Sequence, residues 1–149
     1  MRRSTALALT LIFTILGIAD SWYLAAHEIT NTALSCGIGT ATLSGCNVVA
    51  QSPYSRLFGI PLGVYGLIFY GVILLFTGVL YATHTRYLTR ILFAIAVVGM
   101  LLSFYFAGLQ IFVIKAICIY CFGSFLLSVG IFVTTLRLVR YKPAAPPLM

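Results

Sequence analysis

Four cysteines, Cys36, Cys46, Cys118 and Cys121, carry the clearest chemistry in this sequence. The last two form Cys-Ile-Tyr-Cys, a separation that places both sulfurs on one face of a helix, close enough to pair or to exchange. Near a helix N-terminus the unpaired backbone N–H groups and the helix dipole favour a thiolate, and a thiolate is what disulfide exchange requires. An even count allows two pairs, with three connectivities open. A disulfide closed within one helical turn stabilises little because the loop it closes is tiny, so a redox role is the better reading of the Cys118/Cys121 pair.

The chain that must position these cysteines has 149 residues, enough for one domain, and is 62% hydrophobic and 7% charged. A soluble fold of this size could not cover so much apolar surface with polar groups, and a membrane removes the contradiction. Four apolar stretches, 5–26, 60–82, 91–114 and 116–139, reach the roughly 20 residues that a membrane-crossing helix needs. Helix is expected throughout, since a lone strand in lipid would leave its backbone groups unpaired. The fold class expected is therefore all-α: a four-helix membrane domain over 1–142, with a proline-rich, disordered tail at 143–149. The first stretch is read as an uncleaved helix, because its apolar run exceeds a signal core and no cleavage pattern follows.

Basic residues set the orientation. With both termini in the cytoplasm, Arg2, Arg3, Arg86, Arg90, Arg137, Arg140 and Lys142 lie inside, and only Arg56 and Lys115 lie outside. All four cysteines then face the oxidising side, where disulfides form and persist. His27 is the only external histidine, too few ligands for zinc, so no metal is expected. The formal charge of +7 is scattered in ones and twos, which argues against nucleic acid as a partner.

The third and fourth stretches join almost directly around Lys115, whereas the external segment from His27 to Gly59 runs to more than thirty residues. Loops of that length are usually functional or disordered, and this one holds two cysteines. A loop pair able to meet a soluble protein, beside a helix pair at membrane depth, suggests an electron relay. With no haem, flavin or dinucleotide motif in view, a membrane quinone is the acceptor left by elimination. The competing reading is a non-enzymatic scaffold or carrier with two structural disulfides.

Cys36, Gly45-Cys46-Asn47-Val48-Val49, Ser52-Pro53-Tyr54-Ser55, Phe58-Gly59-Ile60-Pro61 and Ile117-Cys118-Ile119-Tyr120-Cys121, in that order, resemble the bacterial vitamin K epoxide reductase family. The resemblance runs from about Ser21 to the end of the fourth stretch. Another quinone-linked disulfide-forming family places its Cys-x-x-Cys first in the chain, whereas here it comes last. The resemblance implies a four-helix bundle around a quinone, ubiquinone or menaquinone, in a bacterial inner membrane. It also implies a periplasmic thioredoxin-fold partner, here a separate protein because the chain ends soon after the fourth helix. Cys36 and Cys46 are then the shuttle pair, and Cys118 and Cys121 the quinone-side pair with Cys121 nearest the ring. Cys46 is expected to meet the partner first, with Cys36 handing on to Cys118. Ser52 and Ser55 match a polar stretch where a hydroxyl can reach a quinone oxygen. Phe58 and Phe125, which flank that stretch and the cysteine pair, are expected to line the quinone pocket, with Tyr65, Phe104 and Tyr105 as weaker candidates.

Asp20 lies inside the first stretch, where an ionisable group is costly and a proton-handling candidate by default, but it is near the outer end, where reaching the interface or pairing with Lys115 is the competing reading. His27 and Glu28 are read as a solvated rim just past that helix, and Trp22 and Tyr23 as an aromatic belt. Gly59 and Gly63 form a GxxxG, a signal for close helix packing, and Pro61 marks a helix start.

Overall fold

The computed structural model describes residues 3–30, 32, 34, 45–83 and 85–140. Cys36 and the tail expected at 143–149 lie outside the described residues. In chain order the elements are α1 (Arg3–Thr30), α2 (Cys46–Ala50), β1 (Arg56–Leu57), β2 (Ile60–Pro61), α3 (Leu62–Thr83), α4 (Arg86–Gly108) and α5 (Ile119–Arg140). A π-helical turn, Leu109–Ile114, extends α4. The four long helices are apolar and long enough to cross a membrane, as the four apolar stretches require, and make an all-α integral membrane bundle. Three boundaries differ clearly from expectation. α1 runs on to Thr30 instead of ending near Ala26, α4 starts at Arg86 instead of 91, and the last helix begins at Ile119 instead of 116. The last shift has a local cause: Lys115 takes a left-handed backbone (φ 53) that stops the π turn, and Ala116 to Cys118 make the reversal.

α1 packs along both α3 and α5, and α4 along α5, while α3 and α4 touch more sparsely. Lipid gives no hydrophobic drive for helices to associate, so close backbone approach and hydroxyl pairs do the joining. A Cβ on Gly63 would lie 2.6 Å from the Ala25 backbone nitrogen, so α1 and α3 touch backbone to backbone there. In the half of the bundle away from the cysteines, Thr10 of α1 donates to the hydroxyl of Thr134 in α5 at 2.8 Å, and Thr134 in turn reaches the Gly130 carbonyl. Tyr70, Ile73, Leu80, Leu92 and Ile131 fill the space around them. Large apolar side chains such as Leu16, Leu75, Leu101 and Phe112 point out of the bundle, as a lipid-facing surface should.

β1 and β2 pair antiparallel, Leu57 opposite Ile60, around a two-residue turn of Phe58 and Gly59. Both turn residues have positive φ (52 and 81), which makes this a type I′ hairpin, whose twist suits its strands. Gly59 therefore belongs to a turn with open space around it, and of the expected GxxxG pair only Gly63 packs a helix. The hairpin is fastened on both sides. The Arg56 guanidinium donates to the Glu28 carbonyl at the end of α1 at 3.2 Å, and the Tyr65 hydroxyl of α3 donates to the Leu57 carbonyl at 3.1 Å.

Candidate active site

The reversal between α4 and α5 places the Cys-x-x-Cys pair. Cys118 sits immediately before α5, with 1% of its surface exposed. Its backbone N–H donates to the Gln110 side-chain carbonyl at 3.0 Å, and its sulfur accepts the backbone N–H of Cys121 at 3.5 Å. The sulfur thus occupies the N-capping position of α5, where a donor of the first turn would otherwise lack a partner. Gln110 is itself fixed by the π turn, and its backbone carbonyl accepts the Ala116 N–H at 3.2 Å. π turns of this kind recur at functional sites, because the extra residue re-aims a side chain.

Hydrogen bonding from the Cys121 thiol holds the Cys118 pKa below the ordinary thiol value, backbone N–H groups of Cys121 and Tyr120 add to this, and burial opposes it. A lowered pKa means that the thiolate forms at lower pH. In protein lacking the loop cysteines, the first thiolate of the reduced pair should therefore titrate below the ordinary value of about 8.5. Cys121→Ala removes the largest cause and should move the Cys118 midpoint upward. Thiolate absorbance against pH measures both, and a midpoint unmoved by the substitution would contradict this account of Cys118.

The loop cysteine comes to the same place. α2 is a single short helix that starts at Cys46, which is fully buried in one apolar cluster with Leu24, Leu34, Val49 and Cys118, and Cys121 packs against that cluster. Two contacts bring α2 there. Gly45 lies so near the reversal that a Cβ on it would stand 2.8 Å from the Ala116 Cβ. Asn47 clamps the chain leading toward Cys36, accepting the Leu34 N–H at 2.8 Å and donating to the Leu34 carbonyl at 3.3 Å. Cys46 is disulfide-bonded, whereas Cys118 and Cys121 are free thiols.

Cys121 is half-buried and forms part of the wall of a cavity of about 460 Å³ between α3 and α4, closed behind by α1 and α5. The walls are mostly apolar, with a few polar groups set into them, among them Ser52, Ser55, Gln110, Ser124 and Glu28. Its size and character match small-molecule sites, which pair a greasy wall with a few placed polar groups. Ser52 and Ser55 line it as expected, although in this structure each donates to a backbone carbonyl, Ser52 to Val49 at 2.7 Å and Ser55 to Ser52 at 2.9 Å. Rotation about one bond would turn either hydroxyl toward a ligand. Phe125 and Tyr65 also line the cavity.

Phe58 does not. It stands at the hairpin tip with 93% of its surface exposed, because the type I′ turn carries it away from the inward-facing Ser55. Phe104 and Tyr105 also point outward, with Phe104 packed edge-on against Phe125 at 4.9 Å. Two further expectations change. Tyr23 leaves the aromatic belt to Trp22 and packs on Tyr120, next to the cysteine pair, with ring centres 4.8 Å apart. Glu28 is no solvated rim: it lines the cavity, and its Oε2 is buried without a hydrogen bond. His27 keeps to the periphery, its Nδ1 2.8 Å from the Thr32 hydroxyl.

Sequence reasoning missed Gln110, Tyr70, Ser124 and Ser128. Two signals could have found them. Gln110 is a lone amide inside a long apolar run, and Cys121, Ser124 and Ser128 recur at helical spacing on one face of α5.

Among known proteins, the sequence profile of the Vitamin K epoxide reductase family matches residues 8–136. No curated protein matches the chain. A match over so much of the length, on a bundle whose described cysteines Cys46, Cys118 and Cys121 lie together, settles the relationship: the chain belongs to the vitamin K epoxide reductase family, and its family function is that of a quinone-linked thiol oxidoreductase.

Proposed function

We propose that this protein takes two electrons from a periplasmic thioredoxin-fold oxidoreductase and passes them, through two cysteine pairs, to ubiquinone or menaquinone in a bacterial inner membrane. It would thereby sustain disulfide formation in secreted proteins. The observation that carries this reading is the position of Cys121, in the wall of a cavity fit for a quinone ring, one turn from a Cys118 that packs with Cys46 of the loop. The distribution of basic residues supports cytoplasmic termini and an external cysteine end.

The residues divide the work. Cys36 and Cys46 form the exchangeable pair of the loop. Complete burial of Cys46 beside Cys118 favours reversing the order expected from sequence: Cys46 exchanges with Cys118, and Cys36 meets the partner. Partner electrons reduce the loop disulfide; the loop thiolate then attacks a Cys118–Cys121 disulfide and leaves that pair as a dithiol. A quinone, when bound, supplies an acceptor for two electrons and two protons. Cys121, nearest the cavity, delivers the electrons as its disulfide with Cys118 re-forms. Gln110 holds the reversal and Cys118 in place, while Ser52 and Ser55 offer hydroxyls for a ring oxygen and Phe125 an apolar wall. A partner near about −120 mV needs an acceptor more oxidising still, and a quinone pool meets that condition.

A scaffold with static disulfides accounts poorly for free thiols at Cys118 and Cys121 beside a bonded Cys46. The deciding experiment supplies the purified protein with a reduced periplasmic thioredoxin-fold protein and several quinones. Quinol should form in step with oxidation of the donor. Well-folded protein that reduces none of the quinones would leave the scaffold reading standing.

A further inference from the structure

The chain contains two acidic residues, Asp20 and Glu28, both on α1. Glu28 lines the cavity directly; Asp20 lies behind the wall, within the membrane-spanning part of α1. Its Oδ2 is buried and makes no hydrogen bond among the described residues. An ionisable group kept in such a place asks for a function.

What separates Asp20 from the cavity is a set of hydroxyls. Ser124 forms part of the cavity wall one turn beyond Cys121, and its hydroxyl interacts with the Asp20 carboxyl. The Tyr70 hydroxyl stands 2.9 Å from the Ser124 hydroxyl and 3.4 Å from that of Ser128, and donates to the Ser124 carbonyl at 3.0 Å. Tyr70 reaches this position across Gly17, where any Cβ would collide with its ring. The line from cavity to carboxyl is therefore built from three helices: Asp20 on α1, Tyr70 on α3, Ser124 and Ser128 on α5. The titratable groups that feel the Asp20 charge are Tyr70 from α3 and Cys118, Tyr120 and Cys121 from α5 and the turn before it.

We propose that Asp20 is the proton station of the redox site, taking up a proton of the Cys118/Cys121 dithiol through the Ser124 hydroxyl, one turn from Cys121, and returning it to the cavity by the same line of Ser124 and Tyr70 hydroxyls. The proposal rests on the quinone reading above. Its balance is closed. As two S–H bonds break and the Cys118–Cys121 bond forms, two electrons go to the quinone, and both thiol protons end on its oxygens. One of them waits on the Asp20 carboxylate between leaving sulfur and reaching oxygen. Dithiol and quinone thus give disulfide and quinol with no proton drawn from outside. Asp20 touches neither sulfur nor quinone, so it acts by positioning a proton.

The test uses the full-length protein in lipid discs, with dithiothreitol as donor and a short-chain ubiquinone or menadione as acceptor. Asp20→Asn should slow quinol formation about a hundredfold, the usual scale for losing an acid–base group, and flatten the dependence of rate on pH. Asp20→Glu should restore both. Ser124→Ala, which keeps the carboxyl but cuts its link to the cavity, should also slow the reaction and decides the matter if Asp20→Asn does not fold. A second readout needs no quinone: because Asp20 feels the cysteine pair, reduced-minus-oxidised infrared spectra should show a shifted carboxylate-stretch band that disappears in Asp20→Asn and survives in Glu28→Gln. Wild-type rate and pH profile in both Asp20→Asn and Ser124→Ala would overturn the relay, as would a band that follows Glu28 instead. An inert wild type would overturn the quinone reading and the relay with it, whereas an active wild type with unaltered variants would sink the relay alone.

Discussion

Cys121→Ala should reduce quinol formation to the rate seen without protein, whether the donor is a thioredoxin-fold protein or dithiothreitol. The expectation follows from the position of that sulfur. Cys121 is the cysteine in the cavity wall, and Cys118 is sealed off at 1% exposure, so no other described thiol can face a ring in the cavity. Loss of the final carrier cannot be bypassed by choosing another donor. Cys46→Ala should behave differently: turnover with the protein donor should vanish, while dithiothreitol, small enough to reach the Cys118–Cys121 disulfide itself, should still support quinol formation. Quinone absorbance followed for both variants with both donors separates the two roles. Appreciable quinol formation by Cys121→Ala would place the exit of the electrons elsewhere, and equal loss of both donors in Cys46→Ala would make the loop cysteine a structural element.

Most of this architecture was legible because lipid imposes a simple code. Backbone groups must pair within each span, so four long apolar runs could hardly be anything but four helices. The basic residues lead one to expect Cys46, Cys118 and Cys121 at one end of the bundle, but the neighbour expected for Cys118 is Cys36, whereas the structure packs Cys46 there. Ser52 and Ser55, suggested by the family resemblance, and Phe125, suggested by its nearness to the Cys-x-x-Cys pair, each line the cavity.

The misreadings have local causes. Phe58 was assigned by its nearness in sequence to Ser55, but two consecutive left-handed residues reverse the chain between them, and Phe-Gly is not the Asn-Gly or Asp-Gly that announces such a turn. The start of α5 is expected three residues early because Ala116 to Cys118 are as apolar as the helix that follows, so hydropathy past Lys115 does not mark them as part of the reversal. The hydroxyl line behind the cavity joins Asp20, Tyr70 and Ser124 from three helices, a convergence that no local pattern encodes. Glu28 was read as a rim residue because its helix was expected to end near Ala26; the added turn lays it into the cavity wall instead.

Gly45→Val should uncouple the two halves of the relay without touching a cysteine. The space at Gly45 is bounded by the Ala116 Cβ at 2.8 Å and by the Ile117 backbone N and O at 3.1 Å. A real Cβ does not tolerate the first of these distances, and the neighbours have little freedom to yield. They belong to the reversal that Lys115 begins and that the Gln110 side chain holds at Cys118. α2 must therefore move, and Cys46 is its first residue. Disulfide exchange needs sulfurs in contact, with Cα atoms within about 7 Å, and a displacement near 1 Å at a reacting centre can cost about a hundredfold in rate. Turnover with the thioredoxin-fold donor should fall by about that factor. With dithiothreitol, quinol formation should persist, because Gly45 lines no part of the cavity and the Cys118/Cys121 turn is held by Gln110 from the other side. Trapping the Cys46–Cys118 mixed disulfide by rapid alkylation gives a direct measure, and the variant should yield little of it. Normal trapping in Gly45→Val would mean that the loop reaches Cys118 by a motion larger than the packed arrangement of α2, and that the close contact at Gly45 serves stability alone.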